Sequence, residues 1–217
     1  IGSGLVGSEM CIRDRDMVTV TECTTLGKGR LRFHLDNGTE LVLYRGEAKQ
    51  FRMREGSTLS DEEEHQLIYE VVGKRAKRRT MHLLEQMDRT EQQLREKLKQ
   101  GGYPQACIDL ALEYVKSFHY VDDYRYACTY INYRQDRMSR YQLKVKLYGK
   151  GVSGELIDRA LEECYEGDEQ DQIIRLLEKK KFDAQNSDPK EFTRVYQYLM
   201  RRGFRSNDVL RAMKSKQ

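Results

Sequence analysis

Tryptophan is absent from this 217-residue chain, proline occurs only twice, and uncharged apolar stretches run to only a few residues. Those stretches fall far short of the roughly 18 residues that a membrane-spanning helix needs, so such a span is excluded. Scarce proline argues against proline-rich disorder. Five cysteines occur, an odd number, and none forms a C-x-x-C pair. Ordinary thiols in a reducing compartment are expected from this, not a disulfide framework. Histidines 34, 65, 82 and 119 are scattered and lack metal-ligand spacing. No GxxxxGK(S/T) loop occurs, and Gly27 to Arg30 lies beside a hairpin instead. H-E-x-x-H and a nucleophile elbow are missing too. No catalytic constellation, metal site or cofactor is expected.

What is present is charge: 34% of residues are Asp, Glu, Lys or Arg, and mean hydropathy is −0.82. With fourteen tyrosines and many Leu, Ile and Val, this composition points to helices with wide solvated faces around a thin core. Residues 1–16 are Gly/Ser-rich at their start and lack an apolar h-region, so they do not read as a signal peptide. Gly4 to Arg15 resembles a translated sequencing adapter, which makes Met17 the expected start and the cytoplasm the expected location.

Residues 17–72 form a small α+β domain in this reading. Val18 to Thr21 alternates β-branched residues, Arg30 to Leu35 alternates polar and apolar ones, and Glu40 to Tyr44 returns as a strand. Asp36-Asn37-Gly38 is a hairpin turn signal between them. Ser60 followed by acids reads as a helix start. The sign of the charge then changes. Residues 17–72 hold 7 basic and 10 acidic residues, whereas residues 73–217 hold 30 and 22. A boundary near 72 follows, with any polyanion-facing surface in the second half.

The second half repeats. Leu94, Leu98 and Gly102 share their spacing with Leu143, Leu147 and Gly151, and with Val195, Leu199 and Gly203. Ile108, Ile157 and Val209 lie six residues past the glycines. Ala111-Leu112, Ala160-Leu161 and Ala212-Met213 lie nine and ten past. Each unit therefore reads as helix, tight glycine turn, helix, with glycine in the left-handed conformation that ends a helix. Thr90-x-x-Gln93 and Ser139-x-x-Gln142 are capping boxes, and Asp188-Pro189-x-Glu191 does the same in the third unit. A further helix precedes each pair, around 76–87, 122–137 and 168–181. Asp122 or Asp123 and Asp168 are the expected caps. Adjacent aspartates at a helix start diverge, so capping is preferred to metal ligation there. The expected fold is mainly α: three tandem three-helix repeats, about 73–118, 119–166 and 167–217, stacked into an elongated array behind the N-terminal domain.

Basic residues cluster in this half. Arg134, Arg137, Arg140, Lys144, Lys146 and Lys150 face one acid, Asp136, with Tyr133, Tyr141 and Tyr148 interleaved. Lys74 to Arg79 and Lys179 to Lys181 form two more clusters, and Arg201, Arg202 and Arg205 flank the last glycine turn. Such density can neutralise phosphates or meet an acidic protein. Lys179 to Lys181, at a helix end, is expected to be merely solvated.

Four pieces carry a resemblance: Arg89-Thr90-Glu91-x-x-Leu94-Arg95-x-x-Leu98; Tyr120-Val121-Asp122-Asp123-x-x-x-Ala127-x-x-Tyr130; Leu147-x-x-Lys150-Gly151-Val152; and Tyr198-Leu199-x-Arg201-Arg202-Gly203-Phe204. Over residues 73–215 the chain resembles the RecX family of bacterial regulators of the RecA recombinase. Phe51 to Gly56 also looks loosely like a stretch of the longer members. Ser139 stands where the family often has glycine, and Lys146 where it often has an acid, which makes the centre more basic. The resemblance implies a monomeric, non-enzymatic modulator in DNA repair, recombination and the SOS response. It implies binding along the RecA–DNA filament, lowered ATP hydrolysis and strand exchange, and contact with single- or double-stranded DNA through basic faces. The expected partner-binding residues are Arg134, Arg137, Arg140, Lys144, Lys150, Arg201 and Arg202. The competing reading is a helix-turn-helix-like duplex binder that needs no RecA, with Tyr141 to Leu161 as the motif.

Overall fold

The computed structural model describes residues 17–183 and 185–215. The adapter-like segment, Ile1 to Asp16, lies outside the described residues. They fall into two compact units: residues up to Thr80 with Lys97–Tyr114, and Met81–Glu96 with Val115 onward.

In the first unit, β1 (Met17–Gly27), β2 (Arg30–Leu35), β3 (Glu40–Tyr44) and β4 (Thr58–Ser60) form one antiparallel sheet in the order β3-β2-β1-β4. The hairpin expected at Asp36 to Gly38 is present. Gly38 takes φ +82°, the Leu35 N–H donates to the Thr39 carbonyl at 2.9 Å, and Asn37 Oδ1 accepts from the Thr39 N–H. Gly27 to Gly29, all with positive φ, makes a second hairpin between β1 and β2. Phe33, Leu35, Leu41, Leu43, Leu59 and Leu67 are buried. Val42, on the opposite face of β3, is buried too, because the turn at Gly102 sits on it; a Cβ at Gly102 would lie 2.4 Å from Val42 Cγ2.

Helix α1 (Arg45–Gln50) follows β3 directly. Ser60 caps α2 (Asp61–His65), accepting from the Glu63 N–H while Glu63 returns its carboxylate to the Ser60 N–H, which is the expected helix start with a full capping box. A π-helical stretch, Gln66–Gly73, joins α2 to α3 (Lys74–Gln86). Residues on both sides of position 72 pack together here. Cys107 Sγ meets the Ile68 carbonyl at 3.2 Å, and a Cβ at Gly73 would lie 2.8 Å from Leu110. The change in charge sign near 72 is therefore not a gap in packing.

The remaining helices are α4 (Glu91–Gln100), α5 (Gln105–Ser117), α6 (Asp123–Arg134), α7 (Arg140–Tyr148), α8 (Gly154–Cys164), α9 (Glu169–Lys179), α10 (Pro189–Arg201) and α11 (Ser206–Ser215). With α3 they make three three-helix repeats, and the apolar positions that define the repeat are all buried. The glycine turns close as expected. Gly102, Gly151 and Gly203 take φ of +76°, +84° and +79°. Tyr103 N–H reaches the Leu98 carbonyl and Val152 N–H the Leu147 carbonyl, the six-to-one bond of a Schellman motif. Two more helix ends use the same geometry without glycine, at His119 (φ +56°) and Lys181 (φ +53°).

The second and third repeats each have their own core. In one, Ala127, Ile131, Leu143, Leu147, Ile157 and Leu161 pack together; in the other, Ile173, Leu177, Val195, Leu199, Val209 and Met213. The expectation of unpaired thiols is overturned at two positions. Cys128 on α6 and Cys164 on α8 form a disulfide, with Cα atoms 5.6 Å apart. They are 36 residues apart in sequence and come together because α6 packs on α8, which a search for C-x-x-C spacing does not reach. Cys23 and Cys107 are free, and burial pushes the Cys107 thiol up to about 11.

Candidate functional site

Successive repeats in the second unit are joined by the same three contacts, used twice. The hydroxyl that caps the second helix of one repeat also donates to the carbonyl just before the next repeat's glycine. Thr90 Oγ1 reaches the Lys150 carbonyl and Ser139 Oγ the Arg202 carbonyl, both at 2.6 Å. One residue on, a backbone N–H donates to a carboxylate at the start of the next repeat: Glu91 to Asp123 at 2.9 Å, Arg140 to Glu169 at 2.7 Å. Two residues on, a side chain covers the next glycine. A Cβ at Gly151 would lie 2.2 Å from Gln92 Cβ, and one at Gly203 2.2 Å from Tyr141 Cδ1.

This joint settles the Asp122-Asp123 pair. Asp122 caps α6, accepting the Arg125 N–H at 2.9 Å, while Asp123 ties α6 back to α4. Burial pushes the Asp123 carboxyl up from its ordinary value, and the Glu91 N–H pulls the other way. Beside it, hydrogen bonding from Lys116, helped by Arg95, holds the Glu91 carboxyl below its ordinary value.

The joint also distributes the basic residues. Arg137 and Arg202 line one cleft of about 420 Å³, together with Asp136, Gln172, Arg175, Leu176, Lys179 and Tyr198. The Arg202 guanidinium stands 4.8 Å from the Tyr198 ring centroid and Lys180 Nζ 4.7 Å from it. Arg140 and Lys144 line a different depression, of about 280 Å³, with Tyr141, Asp158, Glu169, Gly203 and Arg205. Lys144 pairs with Asp158 there, so that second depression is partly neutralised. Arg134 and Lys150 both stand over the Tyr130 ring, at 4.8 and 5.4 Å from its centroid. Arg201, at the end of α10, is exposed.

Two cations of the first cleft, Arg175 and Lys179, were not among the expected residues. Their signal was available, because residues four apart on one helix share a face. Lys179, expected to be solvated, lines this cleft. The cluster at Lys74 to Arg79 is largely committed elsewhere. Arg75 pairs with Glu47, donates to the Val42 carbonyl, and lies 5.0 and 5.5 Å from the rings of Tyr44 and Tyr103. Lys74 pairs with Glu70, and Lys77 stands 5.1 Å from the Tyr114 centroid.

Comparison with known proteins follows this repeat division. Three family models match in order: the first three-helix domain of RecX at residues 76–114, the second at 122–161 and the third at 167–213. The chain is 29% identical over 163 residues to the regulatory protein RecX of Caldanaerobacter subterraneus, covering 74% of this chain and 80% of that one. It is 33% identical over 159 residues to that of Geobacillus kaustophilus, covering 71% and 59%. With that of Clostridium acetobutylicum it shares 25% identity over 213 residues, covering 93% and 96%. Among solved structures, a regulatory protein RecX matches with a TM-score of 0.60 at 21% identity, over 88% of this chain and 96% of that one. RecX from Lactobacillus salivarius matches with a TM-score of 0.59 at 16% identity, over 67% and 96%. At these identities the two structures speak to the fold alone.

Proposed function

The chain belongs to the RecX family, and from that premise we propose that it binds the RecA–DNA filament and lowers RecA ATP hydrolysis and strand exchange. Its relatives are named as regulators, not enzymes. Such a protein acts by occupancy: it must present a surface of fixed geometry to a repeating partner. The observation that carries the reading is the twice-used joint, which ties the second repeat to the first and, through Ser139 and Arg140, holds the basic residues of the second and third repeats in one arrangement. Arg134, Arg137, Arg140, Lys144, Lys150, Arg201 and Arg202 are the proposed contacts, in a protein of the cytoplasm. No helix among the described residues is long and apolar enough to cross a membrane.

The competing duplex-binding reading needs α8 to lie in a major groove as its recognition helix. Its exposed positions disfavour that. Glu155, Asp158, Glu162 and Glu163 stand there against a single Arg159, and acids repel the phosphates that flank a groove. Co-sedimentation with RecA filaments and RecA ATPase assays test the proposal. Reversing Arg137, Arg140 and Lys144 to Glu should weaken filament binding and relieve ATPase inhibition with helicity unchanged. Wild-type affinity should fall steeply with salt, and the mutant's less so. Full inhibition by the triple reversal would refute these contacts, and a salt-sensitive shift of bare duplex with no effect on filaments would favour the competing reading.

A further inference from the structure

We propose that the cleft between the second and third repeats, lined by Arg137, Arg175, Lys179 and Arg202, is a binding site for the phosphate of a nucleotide. The inference rests on the reading above for its biological setting, but its chemistry stands on the cleft. Three guanidinium groups and one ammonium line a single opening of about 420 Å³ against one carboxylate, Asp136. Among the described residues no ion pair holds any of the four cations. The neighbouring depression differs on this point, since Lys144 is already matched by Asp158. Like charges gathered around one opening repel one another modestly in water, and an anion bound among them turns that repulsion into attraction.

The form of the cleft selects the anion. Its volume lies within the usual range for small-molecule sites and far exceeds what one carboxylate fills. Guanidinium forks bind phosphate oxygens in pairs, and a phosphate offers more acceptors and more charge than a carboxylate. The walls are held in place. Arg202 is kept on the Tyr198 ring, and Gln172, buried, donates to the Gln135 carbonyl at 2.6 Å and to Tyr165 Oη at 3.2 Å, which fixes the segment leading to Asp136 and Arg137 against α9. Arg175 and Lys179 sit on α9 one turn apart and are exposed, so they can close on an entering group without unpacking a core. The phosphate ester is the shared chemistry of two sources, a free nucleotide and a unit of a single strand.

The test uses the full chain without RecA, so its outcome bears on the cleft whether or not the protein acts on filaments. Binding of ATP, of a fluorescein-labelled oligothymidylate and of a poly-glutamate peptide is measured at low salt. The probes are applied to wild type, to a charge reversal (Arg175→Glu with Lys179→Glu), to a neutral pair (Arg175→Gln with Lys179→Gln), and to Lys190→Glu, an exposed position of α10 outside the cleft and outside the proposed contacts, as a control. Both double variants should lose tenfold or more in affinity for a phosphate probe while the control changes less than threefold. The neutral pair secures the result if the reversal misfolds, which circular dichroism shows. Loss with ATP and oligonucleotide alike identifies a mononucleotide site, and loss with the oligonucleotide alone identifies a strand site; either supports the proposal. Unchanged binding of both phosphate probes in the double variants overturns it. So does poly-glutamate binding as tightly as the oligonucleotide and losing as much, since the cleft would then be one for acidic protein.

Discussion

Replacing Gly151 by alanine tests the joint between the first two repeats at its tightest point. Two costs combine there. At φ +84° an L side chain is strained by about 1–2 kcal/mol. The new Cβ would also lie 2.2 Å from Gln92 Cβ and 2.5 Å from Gln92 Cγ. Gln92 Cβ is fixed to its own backbone and cannot swing away, so α4 or the turn must shift, at about 1–3 kcal/mol for overpacking. Any shift lengthens the 2.6 Å bond from Thr90 to the Lys150 carbonyl, whose loss costs roughly another 1 kcal/mol. The expected total is about 3–6 kcal/mol. Gly38→Ala separates the two costs, because Gly38 has φ +82° with nothing within 4 Å and should pay strain alone. Gly154→Ala, with open space and no positive φ, should pay neither. Urea unfolding followed by circular dichroism and by exchange of the repeat amides gives the three values. If Gly151→Ala costs no more than Gly38→Ala, the close approach contributes nothing and the joint is wrongly described.

Lys181→Gly should stabilise by about 1 kcal/mol, because Lys181 holds φ +53° at a helix end where glycine is unstrained; a lower melting temperature would refute this. Cys128→Ser should cost about 3–4 kcal/mol under non-reducing conditions, since the disulfide closes a loop of 36 residues, and reductant should erase the difference from wild type. Thiol labelling of the unfolded, unreduced chain with peptide mapping checks the same pairing: Cys23 and Cys107 should react, and Cys128 and Cys164 should not. Ser139→Asp should keep the helix cap but lose the bond to the Arg202 carbonyl and bury a charge, costing about 2–4 kcal/mol; a stability within 0.5 kcal/mol of wild type, roughly the spread of ordinary surface changes, would sink the clasp. The penalty of Glu91→Gln should depend on pH. The Glu91 carboxyl is held below its ordinary value of 4.5, so its contribution is complete above that value and fades as the pH falls through the lowered one. Melting curves at pH 7 and pH 3 should therefore show a gap between wild type and variant that narrows on acidification.

How much of this was legible in the sequence depended on whether a signal was local. The hairpin at Asn37-Gly38, the cap at Ser60, the glycine turns and the buried stripes each rest on residues within about ten positions, and all appear as read. The disulfide was not legible, because its cysteines meet only through the packing of α6 on α8. Burial of three consecutive residues on β3 was not legible either, since Val42 is covered by a turn sixty residues away. The basic residues were visible as a sum but not as an arrangement. Arg137 and Arg140 are three apart in sequence, yet the turn between α6 and α7 sends them to different clefts, while Arg137 and Arg202, far apart, share one.

The caps show how a local signal can also carry a long-range one. An N-cap needs only an acceptor, and serine, threonine and aspartate all serve. Thr90 and Ser139 do more than accept, because each also donates its hydroxyl proton to a carbonyl of the next repeat. Aspartate, ionised, has no proton to give. A cap that also clasps the following repeat in this way therefore needs a hydroxyl. Asp188 caps α10 in the third repeat, accepting the Glu191 N–H at 2.6 Å. The two caps that are hydroxyls, Thr90 and Ser139, are thus the two that also clasp a following repeat, while the carboxylate cap Asp188 serves its own helix. The same reasoning covers the second aspartate of the Asp122-Asp123 pair. Its counterpart Glu169 has one more methylene, and both reach a backbone N–H at the start of the preceding repeat's second helix, where the helix dipole favours an anion. A carboxylate just after the cap of a repeat's first helix, and a hydroxyl at the cap of the preceding repeat's second helix, are two halves of one joint.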